Sequence, residues 1–402
     1  MDPRINPFSP GAGSPPPKLA GRSALLQEAG LALDRMRRGL HTRSMVLVGL
    51  RGTGKTVMLN RIEALARQDG ALTVVLEAGE ERSLAELLAP ALRQILYRLG
   101  LEAPSGNQTR RALRVLRSFA GSFKLQPGLG GFDQELAVDP EAGAADSGDL
   151  AADLFSLLDA VAAAAVERQS AIVFCLDEMQ LLREKEASAL LAAFHRIHER
   201  RQPLILIGAS LPQALGWAGR SGAGAERLVD FPELDALSSA DAAEALQIPA
   251  RGLGATFSPE ALTRAVELSS GYPYFLQQWG YEAWNQAAGP VIEFGDIESA
   301  APRVVERLDH SFFRLRFDRL RPREKDYLRA MASLGQPPLR SGEVAERLGV
   351  KIQSIAPVRD SLIRKGLIYS PAYGETAFTA PFYGEFLLHV YSDEPASAPD
   401  QP

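Results

Sequence analysis

Apolar positions along the chain fall into two periods. Met45 to Val48, Leu72 to Leu76, Ala171 to Leu176 and Leu204 to Ile207 are short, nearly continuous apolar runs. Such runs read as strands buried on both faces, and Arg227 to Phe231 reads as the last strand of the set. Between them lie stretches with apolar residues three and four apart: about Ser23 to Arg38, Val57 to Arg67, Ser83 to Leu99, Thr109 to Phe123 and Leu150 to Arg168. Leu84, Leu87, Leu88, Leu92, Ile95, Leu96 and Leu99 make one stripe; Leu154, Leu157, Leu158 and Val161 make another. That spacing predicts amphipathic helices. Strands alternating with helices predict an α/β fold, a three-layer parallel sheet, over residues 19–235.

The pattern then changes. Residues 238–310 hold no clear strand and at least three amphipathic helices, which predicts a small helical domain over 236–310. One helix begins after Ser238-Ser239. Another follows Ser258-Pro259-Glu260, a good N-cap with proline at the first helical position. Gly271-Tyr272-Pro273-Tyr274-Phe275 breaks into the next. Beyond residue 322 come a helix (Arg323 to Ala332), a short helix (Ser341 to Leu348), a tight turn and a second helix (Ser354 to Lys365). Leu367 to Tyr369 and Ala377 to Thr379 then flank a Pro- and Gly-containing loop, as in a hairpin. Helix, turn, helix, hairpin is the winged helix-turn-helix order, predicted for residues 311–390. Three stretches lack periodicity. Residues 1–18 read as a disordered leader, 126–149 as a mobile loop or insertion, and 391–402 as a disordered tail.

Candidate chemistry sits at the strand ends. The run Met45 to Val48 enters Gly49-Leu50-Arg51-Gly52-Thr53-Gly54-Lys55-Thr56, the pattern G-x-x-x-x-G-K-[ST] between a strand and a helix. Glycines let successive backbone N–H groups point into one concavity, where a phosphate chain can sit at the helix N-terminus. The cradle comprises Gly49, Gly52, Thr53, Gly54, Lys55, Thr56 and Val57. Lys55 is placed for the β- and γ-phosphates of ATP, and the Thr56 hydroxyl for Mg²⁺. About 120 residues on, an apolar strand ends in Asp177-Glu178. Behind a phosphate loop, the first acid can hold Mg²⁺ and the second can polarise the attacking water. Ser210 ends another strand, where it either senses the γ-phosphate or caps a helix before Leu211-Pro212.

Composition adds limits. No apolar run approaches the roughly 18 residues that a membrane helix needs. The N-terminal stretch lacks the apolar segment of a secretory signal. The single cysteine, Cys175, sits in a predicted buried strand and fits a reducing, cytoplasmic setting. Charge is uneven. Residues 303–390 carry 15 Lys/Arg against 10 Asp/Glu, while the remainder carries 29 against 39. That asymmetry favours an anionic partner near the C-terminus, although charged helix faces are commonly just solvated. His195 and His198, with Glu199 beside them, have metal-ligand spacing, but no further cluster completes a site and an exposed polar face is the simpler reading.

Together, the phosphate loop, Asp177-Glu178-Met179-Gln180, Gly271-Tyr272-Pro273-Tyr274-Phe275-Leu276-Gln277 and the C-terminal winged helix resemble AAA+ or STAND-type P-loop ATPases. The resemblance is nearest the origin-recognition initiator branch and covers about residues 19–390. It implies a P-loop NTPase sheet, a helical lid and a winged helix. It also implies an ATPase that binds ATP or ADP with Mg²⁺ and hydrolyses ATP slowly or under partner stimulation. Arg22, with Gly21, matches the segment that packs near adenine, and Ser210 matches sensor 1. Arg227 stands where such families carry an arginine finger, with Arg220 as competitor. Pro273, beside Tyr272, matches the Gly-x-Pro that lies against the base. The chain departs from the initiators in having Tyr272-Pro273-Tyr274 where they place a sensor arginine, which pulls the reading toward the STAND side. Two functions follow. In one, the nucleotide state controls binding of double-stranded DNA through Gln353, Ser354, Arg359, Arg364 and Lys365. In the other, the winged helix docks on protein, a partner or a second copy.

Overall fold

Ser44–Val48 (β1) is buried at every position, and so is Leu204–Ser210 (β4). Strands this apolar must lie inside a sheet covered on both faces. The structure, a computed structural model, describes residues 1–11, 13–101, 107–125, 138–212, 229–335 and 337–393. These form two units. One comprises Arg22–Gly49 and Lys55–Leu234; the other comprises Met1–Gly21, Leu50–Gly54 and the described residues from Asp235 on.

In the first unit, β1 and β4 join Leu72–Glu77 (β2), Ile172–Asp177 (β3) and Val229–Asp230 (β5). The order is β2-β3-β4-β1-β5, and every pairing is parallel. The predicted last strand shrinks to β5, and residues 213–228 lie outside the described residues. The helices are Ser23–Arg37 (α1), Lys55–Gln68 (α2), Leu84–Leu101 (α3), Asn107–Ser122 (α4), Leu150–Glu167 (α5) and Glu184–Glu199 (α6). Ile172, Phe174 and Leu176 of β3 join the apolar cluster of α3 to α6. Val173 and Cys175 point the opposite way and are equally buried. Burial pushes the Cys175 thiol up to about 12. Val48 stands opposite Ser210, and Leu176 opposite Gly208, so β1, β3 and β4 end at one edge of the sheet.

Part of the expected mobile insertion is packed. Residues 126–137 lie outside the described residues. In the rest, Glu141 accepts from Arg111 at 3.0 Å and Arg114 at 3.1 Å. The Ser118 hydroxyl donates to the Glu141 carbonyl at 2.9 Å, and Ala145 is buried. Glu141, in the stretch expected to be a mobile loop, meets the basic face of α4, a pairing that periodicity does not reveal.

The second unit contains Ser239–Gly252 (α7), Thr256–Phe257 (β6), Pro259–Ser269 (α8), Pro273–Gln286 (α9), Val291–Ile292 (β7) and Phe294–Leu308 (α10). Ser238 and Ser258 cap α7 and α8 with their hydroxyls, as their positions predict. The region expected to lack strands holds the parallel pair β6–β7, whose two-residue strands are too short to show a period. Next come Pro322–Leu334 (α11), Leu339–Arg340 (β8), Ser341–Arg347 (α12), Ile352–Arg364 (α13), Ile368–Tyr369 (β9), Glu375–Phe378 (β10) and Tyr383–Asp393 (α14). β8, β10 and β9 form an antiparallel sheet in that order. The helix α14 enters the predicted tail; residues 394–402 lie outside the described residues. Phe275, Phe312, Phe313, Tyr383 and Phe386 meet in a chain of ring contacts with centroids 5.0 to 5.6 Å apart, which ties α9 to α14.

The leader is a correction. Phe8 is 2% exposed and lies on Gly280, where an added Cβ would come within 2.6 Å of the ring. The Trp284 indole N–H donates to the Asp2 carbonyl at 3.0 Å, and the Asn6 amide to Tyr281 O and Asn285 Oδ1, each at 3.0 Å. A composition rich in Pro, Gly and Ser does not register one aromatic ring that has a glycine-lined seat.

His198 is a second correction, because it is buried rather than on an exposed polar face. Its Nε2–H donates to the Leu204 carbonyl at 3.1 Å, and burial pushes the imidazole down to about 4. The unfolded chain therefore takes up a proton near pH 6.5 that the native state refuses until about pH 4. Stability should fall across that window as pH drops, by up to about 3 kcal/mol. Urea unfolding at pH 7.5, 5.5 and 4.5 checks this. In His198→Gln the decline should be markedly shallower.

Candidate functional site

The glycine-rich turn begins where β1 ends. Gly52 and Gly54 have φ of +84° and +92°, conformations that a side chain would strain. The Gly49 N–H donates to the Ser210 carbonyl at 3.2 Å, and the Thr53 hydroxyl to the Leu50 carbonyl at 3.0 Å. The Lys55 Nζ donates to the Gly49 carbonyl at 2.9 Å. The helix α2 starts at Lys55, and the first N–H groups of a helix point out of its end. A glycine-rich turn at a helix N-terminus can receive an anion.

The carboxylates come from the end of β3. The Thr56 hydroxyl donates to Asp177 Oδ2 at 2.6 Å, and the Glu178 N–H donates to Asp177 Oδ1 at 2.8 Å. Burial pushes the Asp177 carboxyl up, against the downward pull of those two hydrogen bonds. Glu178 has a left-handed backbone, φ +53°. Its carboxylate accepts from the Gln180 amide, which also accepts from the Ser210 hydroxyl at 3.3 Å and the Leu211 N–H at 3.1 Å. Hydroxyl and carboxylate oxygens at Thr56 and Asp177 are the hard donors that suit Mg²⁺.

In the second unit, the crown of the turn, Leu50–Gly54, meets two further segments. The Tyr274 N–H donates to the Gly52 carbonyl at 3.2 Å, which brings Tyr272 and Pro273 beside the crown. Gly271, at φ +69°, has no space for a side chain, since a Cβ would stand 2.5 Å from the Leu237 carbonyl. The Arg51 N–H donates to the Thr379 carbonyl at 2.8 Å, and its Nε–H to the Gly366 carbonyl at 3.1 Å. Arg22 is the half-buried residue that opens α1. Arg227 and its competitor Arg220 lie outside the described residues.

The proposed DNA residues divide. Gln353, Ser354 and Arg364 are exposed on α13. Arg359 instead donates to Thr376 Oγ1 at 3.1 Å and the Glu375 carbonyl at 3.0 Å. Lys365 pairs with the buried Glu324 at 2.7 Å. Both cations hold the domain together, which a helical-face reading of the sequence does not distinguish from a ligand contact. Sequence reasoning also passed over Arg51, which occupies a variable motif position, and Gln180, whose only signal is its place two residues after Glu178.

A phosphate loop at the head of α2, faced by a carboxylate pair one strand away, defines a P-loop ATPase. Residues 18–207 match the AAA ATPase domain family, which makes that part of the chain an AAA-type ATPase domain. Residues 310–387 match a domain of unknown function, DUF8462. A search of the curated proteins finds no match. Among solved structures, the Walker-type ATPase PABY2304 of Pyrococcus abyssi is similar over 92% of this chain and 96% of its own, with 16% identity and a TM-score of 0.56, a likeness of fold. The Aeropyrum pernix ORC1 protein in complex with DNA is 17% identical, at a TM-score of 0.47 over 94% of each chain. The Thermotoga maritima RuvB Holliday junction branch migration motor is 15% identical, at a TM-score of 0.43 over 94% of this chain and 97% of its own. Among the described residues, no helix is long and apolar enough to cross a membrane.

Because burial raises the Asp177 carboxyl, its charge is held at a cost in stability. Asp177→Asn should therefore melt at the same temperature as the parent or a few degrees higher, while losing at least about 100-fold in ATP turnover. Calorimetry paired with a phosphate-release assay checks the split.

Proposed function

We propose that this chain is an ATP-driven switch whose nucleotide state sets what its C-terminal winged helix can bind. The observation that carries the proposal is the pair of hydrogen bonds from Arg51, at the crown of the phosphate loop, to Thr379 and Gly366. Gly366 lies just past the end of α13, so the phosphate loop and the exposed helix share a hydrogen-bonded joint.

The residues fit ATP. Lys55 and the N–H groups from Gly52 to Val57 would take the phosphates, and Tyr272, Pro273 and Arg22 would border the base. Mg²⁺, held by Thr56 and Asp177, would offset charge on the phosphates. Glu178 orients a water and draws its proton as the water attacks, and Ser210 reports on the γ-phosphate. Arg227 is the candidate finger, offered to a neighbouring copy. Arg51→Ala should leave affinity for ATP within about threefold. It should abolish any ATP-dependent change in amide exchange across residues 352–380. An unchanged exchange response in this variant would remove the joint from the mechanism.

Double-stranded DNA is the first partner to test, through Gln353, Ser354 and Arg364 and the basic excess of residues 303–390. A specific observation favours the second reading, a protein partner. Arg359 and Lys365 are committed internally, while Val350 and Ile352 at the start of α13 and Tyr373 in the β9–β10 loop are 46%, 48% and 105% exposed. Fluorescence anisotropy with Glu178→Gln protein separates the two. The DNA reading expects ATP-dependent duplex binding that weakens with salt and falls at least about fivefold in Arg364→Glu. Binding indifferent to that reversal, or none in either nucleotide state, would favour protein.

A further inference from the structure

We infer that Gln180 is a positioning residue for ATP hydrolysis, setting the Glu178 carboxylate according to the state of Ser210. This rests on the reading of Glu178 as the group that polarises water. Gln180 is 7% exposed and stands between the ends of β3 and β4. Its amide orientation follows from its partners. The Leu211 N–H can only donate, so the Gln180 Oε1 faces it at 3.1 Å, and the Nε2–H₂ is turned to Glu178 Oε2. The Ser210 hydroxyl donates to the same Oε1 at 3.3 Å. One rigid amide thus connects the proposed γ-phosphate sensor to the proposed base.

Two further features fix the span. Glu178 sits at φ +53°, a conformation that a non-glycine residue holds only when its surroundings impose it. Met179, fully buried, anchors the turn, and it fits only because Gly208 has no side chain: a Cβ there would come within 2.2 Å of the Met179 sulfur. The backbone on either side of Glu178 is therefore pinned, and the remaining freedom is in its side chain, which Gln180 restrains. A shift of the Ser210 hydroxyl toward a phosphate would release or redirect the amide, and with it the carboxylate.

The test uses the full chain with Gln180→Leu and Gln180→Glu, each alone and combined with Glu178→Gln. The Leu variant removes the bridge. The Glu variant keeps the acceptor for Leu211 and Ser210 but turns a carboxylate toward Glu178. Affinities are measured for a non-hydrolysable ATP analogue and for ADP–aluminium fluoride, a mimic of the transferring phosphoryl group, alongside kcat, KM and melting temperature. Both single variants should lower kcat at least about 10-fold and lose the preference for the mimic. Their analogue affinity and KM should stay within about threefold. In the Glu178→Gln background neither substitution should weaken mimic binding by more than about twofold, because the residue acts through Glu178. Equal losses in both backgrounds, unchanged kcat, or parallel falls in analogue affinity and melting temperature would overturn the proposal. Failure of the parent chain to bind the analogue would instead overturn the ATP reading on which it rests.

Discussion

The 2.6 Å hydrogen bond between Thr56 and Asp177 is the constraint on which the site depends. It joins the head of α2 to the end of β3, although β4 lies between β1 and β3. The join is possible only if the three strands end level, which their register ensures. Level ends require the strands to be held without slippage, and a parallel strand buried on both faces slips only by exposing or colliding side chains. Continuous apolar runs in β1 and β4 therefore help to position the Thr56 hydroxyl and the Asp177 carboxylate. The arrangement is unfavourable locally, since Asp177 is partly desolvated and accepts from two neutral donors, the Thr56 hydroxyl and the Glu178 N–H. The core of α3 to α6 offsets that cost.

Much of this was legible because it rests on period and spacing. The alternation of apolar runs with amphipathic stretches anticipated β1 to β4 and α1 to α5. The glycine-rich motif anticipated the turn at the head of α2, and the strand-end acids anticipated the carboxylate beside the Thr56 hydroxyl. What could not be read were pairings between distant side chains. Phe8 on Gly280, Glu141 on α4, and Arg359 and Lys365 on their partners each depend on surfaces that exist only after folding. His198 shows the same limit from the other direction. Its spacing from His195 suggests a polar pair, yet it shares a helix face with Leu191 and Phe194 and lies buried, where its ring donates to the Leu204 carbonyl.

Arg51 shows how a variable motif position can carry information. Its guanidinium reaches the Gly366 carbonyl beyond the last turn of α13, where unpaired carbonyls give a helix its partial negative end. The Thr379 hydroxyl donates to the same carbonyl at 2.6 Å, so that oxygen is already well satisfied without Arg51. Loss of the arginine would leave no orphaned acceptor there, which suits a contact that has to be made and broken. A joint of buried apolar groups could not be broken so cheaply, because opening it would expose surface.

Magnitude then decides what such a joint can do. A hydrogen bond from a charged donor contributes roughly 1.5–3 kcal/mol, equivalent to ~10- to 150-fold in an equilibrium. Full reversal of a two-state population from one per cent to ninety-nine takes about 5.5 kcal/mol. Arg51 alone can therefore bias the C-terminal domain but cannot throw it. The Arg51 N–H to Thr379 and Tyr274 N–H to Gly52 bonds add two neutral contributions on the same crown, each worth roughly 1 kcal/mol. The sum still falls short of complete reversal. On these contacts the proposed switch would be graded, and a bound partner would have to supply the rest of a full reversal.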